Sequence, residues 1–253
     1  MDKFKKLRVF NIVMGFFHLI QSIIIAVLST DFSLPINTSY LKFDVNTLTL
    51  QPFLENIGEL RIGYVVALFL LLSSIAHFII SLPRIYEWYE KNIKKGINYA
   101  RWYEYSISSS VMIVVIAMLV GIYDFSSLIL IFFLNMMMIL FGLMMELHNQ
   151  TTKKTDWTSY IFGCIAGIIP WVVIALYLFG SGDGENKAPD FVYWIFFSIF
   201  LFFNSFAVNM VLQYGKIGKW KDYTFGEKVY IILSLVAKSL LAWQVFAGTL
   251  RPV

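Results

Sequence analysis

What this sequence has least of is charge. Only 14% of its 253 residues are Asp, Glu, Lys or Arg, against roughly a quarter in a soluble domain. With 58% hydrophobic residues, that scarcity excludes an ordinary soluble fold. Cysteine is almost absent: the single Cys164 rules out an intramolecular disulfide and is too few for a cysteine-based zinc site. It reads as a small buried hydrophobe, and no metal site is expected. Three histidines leave few groups that titrate near neutrality. No nucleic-acid motif is present, and the net charge of +4 sits in loops, where it speaks for anionic headgroups rather than DNA or RNA.

What is present is apolar sequence in seven runs, at residues 9–28, 62–82, 102–123, 125–145, 158–179, 191–212 and 229–250. Each is near the twenty or so residues that cross about 30 Å of hydrocarbon. The expectation is an all-α membrane protein, one seven-helix domain over 1–253. Fifteen basic residues fall in one set of loops, from Lys3 through Arg84, Arg101 and Lys153 to Lys228; only Lys42, Arg61, Lys187 and Arg251 fall in the other. Basic residues favour the cytoplasmic side. The N-terminus is therefore expected in the cytoplasm and the C-terminus outside, in a multi-pass protein of the cell membrane.

The connections carry further signals. Met1–Arg8 followed by an apolar run suggests a signal peptide, but the run is long and interrupted by His18 and Gln21, so it is read as the first helix. Residues 29–61 form a long outer loop. Tyr40–Val45 and Thr47–Leu50 alternate apolar and polar residues, which predicts a small β-hairpin, either a lid or a homodimer contact. Arg84–Lys91 is basic and aromatic, suited to the headgroup level. Gly180–Gly184 reads as an outer turn. Gly163 and Gly167 permit close helix approach, Pro170 invites a kink, and Met136–Met138 with Met144 and Met145 reads first as adaptable core.

The charge census leaves two residues inside the spans. Nineteen of the twenty basic residues and fifteen of the sixteen acids are assigned to loops or span ends; Lys238 and Glu104 remain. At about 1.5 Å per residue, Lys238 lies about 15 Å from one end of its span and about 18 Å from the other. A lysine at that depth costs at least about 2.5–3.5 kcal/mol on insertion scales and is by default functional. Arg101, Glu104 and Ser108 share a helical face by their spacing. His77 and Ser73 place polar groups in the inner half and His18 near the middle, while Val111–Ile122 holds no ionisable residue. Three uses stay open on these residues alone: a structural Lys–Glu pair, a transporter coupling site, and a lysine that condenses with an aldehyde. The absence of a second intramembrane acid counts against the transporter.

Four strings sharpen the choice: Trp102-Tyr-Glu104-Tyr-Ser-Ile-Ser-Ser-Ser-Val-Met-Ile113, Phe162-Gly-Cys-Ile-Ala-Gly-Ile168, Leu201-Phe-Phe-Asn-Ser-Phe-Ala207 and Ser234-Leu-Val-Ala-Lys238-Ser-Leu-Leu-Ala-Trp243. Together with the seven spans they resemble the heliorhodopsins, a branch of the retinal proteins with an inverted, rhodopsin-like bundle. The resemblance covers the whole chain. It implies retinal, all-trans in the dark, as a Schiff base on Lys238 with Glu104 as counter-ion and Ser108 and Ser234 nearby. It further implies a polyene gripped by Asn135, Met138, Ile139, Gly142, Gly167, Phe203 and Phe206. His18, His77, Ser73 and Gln21 match an inner polar cluster that would accept the proton. Ion-pumping relatives keep an acid where this chain has Ser234, and proton pumps keep a carboxyl donor where it has Val115. The expected function is therefore a non-enzymatic light sensor, a homodimer in the lipid bilayer with an unknown signalling partner. A light-driven ion transporter or channel, or a modulator of a partner enzyme, is the alternative.

Overall fold

The computed structural model describes residues 2–180, 182 and 187–250. Ser181, Asp183 and Gly184 of the expected outer turn, and Arg251, lie outside the described residues. Among the described residues eight α-helices and one hairpin follow in chain order: α1 (Lys3–Leu28), β1 (Ser33–Asp44), β2 (Thr49–Arg61), α2 (Ile62–Ser81), α3 (Pro83–Lys94), α4 (Tyr99–Leu119), α5 (Phe125–His148), α6 (Thr158–Gly180), α7 (Asp190–Tyr214) and α8 (Tyr223–Val245). Among the described residues seven helices are long and apolar enough to cross a membrane, all but α3.

Local chemistry sets the ends. Leu82 precedes a proline and takes extended backbone angles, as a pre-proline residue should, so α2 stops and Pro83 opens α3. Asn98, Asp124 and Asp222 cap α4, α5 and α8, accepting from the N–H groups of Arg101, Ser127 and Thr224. The last helix starts six residues before the expected 229, because its first turn, with Thr224, Gly226 and Glu227, is polar but buried. Likewise α1 begins at Lys3 rather than 9, and the expected headgroup segment 84–91 is a helix whose Tyr86, Tyr89 and Ile93 are buried.

The hairpin exists and is longer than the alternation predicted. β1 pairs antiparallel with β2 from Ser33–Arg61 to Asp44–Thr49, with Leu48 in a left-handed conformation in the turn. An irregularity between Ile36 and Asn37 frees the Asn37 N–H to donate to Tyr123 O at 2.8 Å. That bond ties the hairpin to the α4–α5 connection.

Packing divides the bundle across its long axis. The hairpin half is an apolar core of Ile62, Val66, Phe69, Leu70, Ile113, Val115, Ile116, Leu241 and Val245 with their neighbours. Toward the N-terminal end the core is aromatic and mixed with polar groups: Trp102, Tyr105 and Tyr230 in one cluster, Tyr86 and Tyr89 in another.

Candidate functional site

Three helices meet at Lys238. On α8 it is 3% exposed, and its ammonium donates to Glu104 Oε1 on α4 at 2.8 Å and to Ser73 Oγ on α2 at 2.5 Å. Ser73 has a single proton, and its shortest acceptor is the same Glu104 oxygen at 2.6 Å; charge-assisted bonds are the stronger ones. Lysine, serine and carboxylate therefore close a three-membered ring of hydrogen bonds. Ser108, one turn along α4 from Glu104, is fully buried beside it. The Tyr105 ring lies 5.1 Å from the ammonium, close enough for a cation–π contribution.

Lys238 also opens onto a cavity of about 400 Å³, within the roughly 300–1,000 Å³ of small-molecule sites. Of the residues expected to contact a ligand, Ser108, Met138, Ile139, Gly142, Gly167, Phe203, Phe206 and Ser234 line it. Asn135 does not. It is buried behind the wall, donating to Ser109 Oγ at 2.9 Å and Ser110 Oγ at 3.1 Å, and thus orients Ser109, which does line the cavity. The glycines are needed for close approach: a Cβ on Gly142 would run into the Trp102 indole, and one on Gly167 into Met138 Sδ. Trp102, Tyr105, Trp171, Phe200 and Tyr230 complete the aromatic wall. Sequence reasoning missed them, although Trp102 and Tyr105 flank Glu104 and are three residues apart, at helical spacing with each other.

The inner polar group is assembled in part. His18 is fully buried, with neither ring nitrogen hydrogen-bonded, and it stacks on His77 at 5.6 Å between ring centres. His77 Nδ1 lies 2.8 Å from Asn11 Oδ1, an unforeseen member supplied by α1. Ser73, one turn before His77 on α2, bonds the lysine. Gln21 does not join the group: three residues beyond His18, it turns to another face of α1 and accepts from Trp243 Nε1 at 3.0 Å.

The charge census needs one substantial correction. Arg101, Glu146 and Glu227, assigned by sequence to span ends, are buried side by side at the N-terminal end, with side chains 3%, 0% and 0% exposed. Arg101 bonds both carboxylates. Glu146 also accepts from the Asn98 N–H at 2.8 Å, Trp102 Nε1 at 2.7 Å and Tyr223 OH at 2.8 Å, and Glu227 from the Asn98 amide at 2.5 Å. Glu104 is thus the carboxylate at the lysine without being the only acid inside the bundle. The Arg101 guanidinium lies over the rings of Trp102 and Tyr230 at 4.4 and 3.9 Å, so the triad forms the floor beneath the cavity wall.

The cavity requires of its ligand an apolar body and one group that reacts or pairs with an amine, since Lys238 is the one charged side chain in its lining. Retinal, an apolar polyene ending in an aldehyde, meets that requirement. In overall fold the chain is similar to a light-driven proton pump from Leptosphaeria maculans, with a TM-score of 0.64 at 15% identity, covering 98% of this chain and 97% of that one. No curated protein sequence matches it. The heliorhodopsin family model matches residues 7–250. With seven membrane-spanning helices and a cavity suited to retinal, the chain belongs to the heliorhodopsin family of retinal proteins.

Proposed function

We propose that the protein is a light sensor in which Lys238 carries retinal, all-trans in the dark, and Glu104 balances the charge at the linkage. The observation that carries this reading is the Lys238–Ser73–Glu104 ring at the end of an aromatic cavity, with no other charged group in the cavity wall. Retinal supplies light absorption and isomerisation; the protein supplies a fixed geometry around it. Met138 and Phe203, which line the cavity with Gly142 and Gly167, restrict where a bound ligand can move.

The proton at Lys238 has one polar direction to go. Ser73 bonds both lysine and Glu104, and His77, one turn beyond Ser73 on α2, stacks on His18 and reaches Asn11. His18, with both ring nitrogens unsatisfied, is the member of that group with free hydrogen-bonding capacity. On the hairpin side, Val66, Leu70, Ile113, Ile116 and Leu241 are all fully buried, and none can carry a proton. The proton is accepted and returned on the N-terminal side, which is cytoplasmic by the distribution of basic residues, so no ion crosses the membrane. Leu41, Phe43, Leu50 and Leu54 of the hairpin are exposed apolar residues, which supports a dimer contact there.

The test is illumination of expressing cells in unbuffered suspension. No light-driven pH change sensitive to a protonophore is expected. A sustained change abolished by the protonophore would establish net transport and overturn the sensor reading.

A further inference from the structure

At the N-terminal end, apart from the Lys238 cavity, a second cavity of about 360 Å³ lies between three interhelical connections. Lys95, Lys153, Lys154, Lys216 and Lys221 all line it, and no Asp or Glu does. The two nearest acids in sequence are engaged elsewhere: Asp156 faces His148 and caps Thr158, while Asp222 caps α8 and meets Lys3. Among the described residues none of the five lysines has an ion-pair partner. The preference for basic residues on one side of a membrane explains why lysines are at this end. It does not explain why five from three connections converge on one hollow, where they repel each other.

Two further observations point to a ligand. Gln213, 6% exposed, lines the cavity with its Oε1 buried and unsatisfied, which is a cost the fold should avoid unless something donates to it. The second is the backbone at Lys216. α3 and α7 both end beside this cavity in the same C-terminal motif, with bonds from Ile97 N to Asn92 O and Gly96 N to Ile93 O in one, and from Ile217 N to Leu212 O and Lys216 N to Gln213 O in the other. The residue after the cap is left-handed in both: Gly96 at φ 77° and Lys216 at φ 51°. Glycine is the usual occupant. At 216 a lysine takes the position that glycine usually fills, which sets its side chain at the hollow at a cost in backbone strain.

We propose that this hollow binds a phosphate-bearing anion, held by the five lysines and donating a hydroxyl or amine proton to Gln213. Trp220 and Tyr223 form its ring-lined wall; their polar ends are already committed to Asn209 and Glu146, so they offer faces rather than hydrogen bonds. The phosphate belongs either to an anionic lipid headgroup or to a soluble phosphate compound, since basic pockets between membrane helices suit both.

The experiment uses the full retinal-loaded chain in two arms. In nanodiscs of phosphatidylcholine alone, pyrophosphate is titrated by calorimetry. In mixed micelles, retained phosphatidylglycerol is counted against phosphatidylcholine by native mass spectrometry. Saturable binding in the first arm identifies a soluble phosphate compound, selective retention in the second a lipid headgroup, and either supports the site. At about fivefold per lysine, K153Q/K154Q should weaken binding about 25-fold. K216G should weaken it about fivefold while leaving the thermal midpoint unchanged or higher, because glycine relieves the left-handed strain. The charge-matched control K5Q/K91Q, whose lysines are outside the hollow, should bind normally. Absence of saturable binding in both arms, or equal weakening in the control, would overturn the proposal.

Discussion

Replacing Arg101 by methionine removes the one cation between two buried carboxylates and keeps a side chain of similar length. Breaking a buried ion pair by removing one partner costs about 3–5 kcal/mol, because the remaining charge is left uncompensated. The two acids here are not equally exposed to that loss. Without Arg101, Glu146 still accepts from the Asn98 N–H, Trp102 and Tyr223, whereas Glu227 keeps only the Asn98 amide. R101M should therefore lose about 3–5 kcal/mol, and adding E227Q should recover most of it. Adding E146Q instead should not, since a glutamine there offers one oxygen to three donors and turns an NH₂ toward them. The assay is reversible unfolding of the purified pigment in sodium dodecyl sulfate, followed at the visible band. A loss below about 1 kcal/mol for R101M, the least a buried unsatisfied group should cost, would refute the reasoning. So would rescue by E146Q equal to that by E227Q.

The remaining predictions concern the cavity and the proton. K238A should form no visible pigment when retinal is added; retained colour would show that another group makes the attachment. E104Q removes the balancing charge 2.8 Å from Nζ, so the visible band should move to longer wavelength, and an unchanged spectrum would assign the counter-charge elsewhere. G142A places a methyl against the Trp102 indole; overpacking of about 1–3 kcal/mol should lower pigment yield, and G142A/W102F should restore it. H18F/H77F removes both imidazoles from the polar group beyond Ser73, and flash photolysis should then show a smaller or slower deprotonated signal; kinetics identical to the parent would exclude these histidines as acceptors.

The number and type of the membrane-spanning helices were legible because lipid imposes a length and a composition that a single sequence displays. The lysine was legible for the same reason: a charge in the middle of an apolar run stands out against everything around it. Arg101, Glu146 and Glu227 were not, because each lies near a helix end where charge is ordinary, and only the folded bundle shows that α4, α5 and α8 bury those ends together. Asn11 and Gln21 make the complementary point. Both are polar residues of α1, three to ten positions apart from each other and His18 in a pattern hydropathy cannot orient, and one turns to His77 while the other turns to Trp243. The hairpin was found but underestimated, since its outer half alternates while Ser33–Thr38 packs partly on the bundle and loses the alternation.

The likeness to a proton pump bears on fold and leaves the direction of proton movement to individual residues. A pump must connect its lysine alternately to both faces, so each half of the bundle needs groups that exchange protons. Here the N-terminal half has Glu104, His77 and His18 in sequence from the lysine, and the buried ion triad beyond them. The hairpin half has Ser22 spent on Ala67 O, Ser198 and Gln244 paired with each other, and an apolar core that includes Val115, fully buried where a pump of this general plan would keep an acid. A single substitution, V115D, would not open a route, because Ile113, Ile116 and Leu241 remain around it without a hydrogen-bonding partner. Converting this architecture to transport would take a chain of polar residues through that core. On the proposed reading, the energy of isomerisation is therefore expressed as rearrangement at the N-terminal end rather than as a gradient.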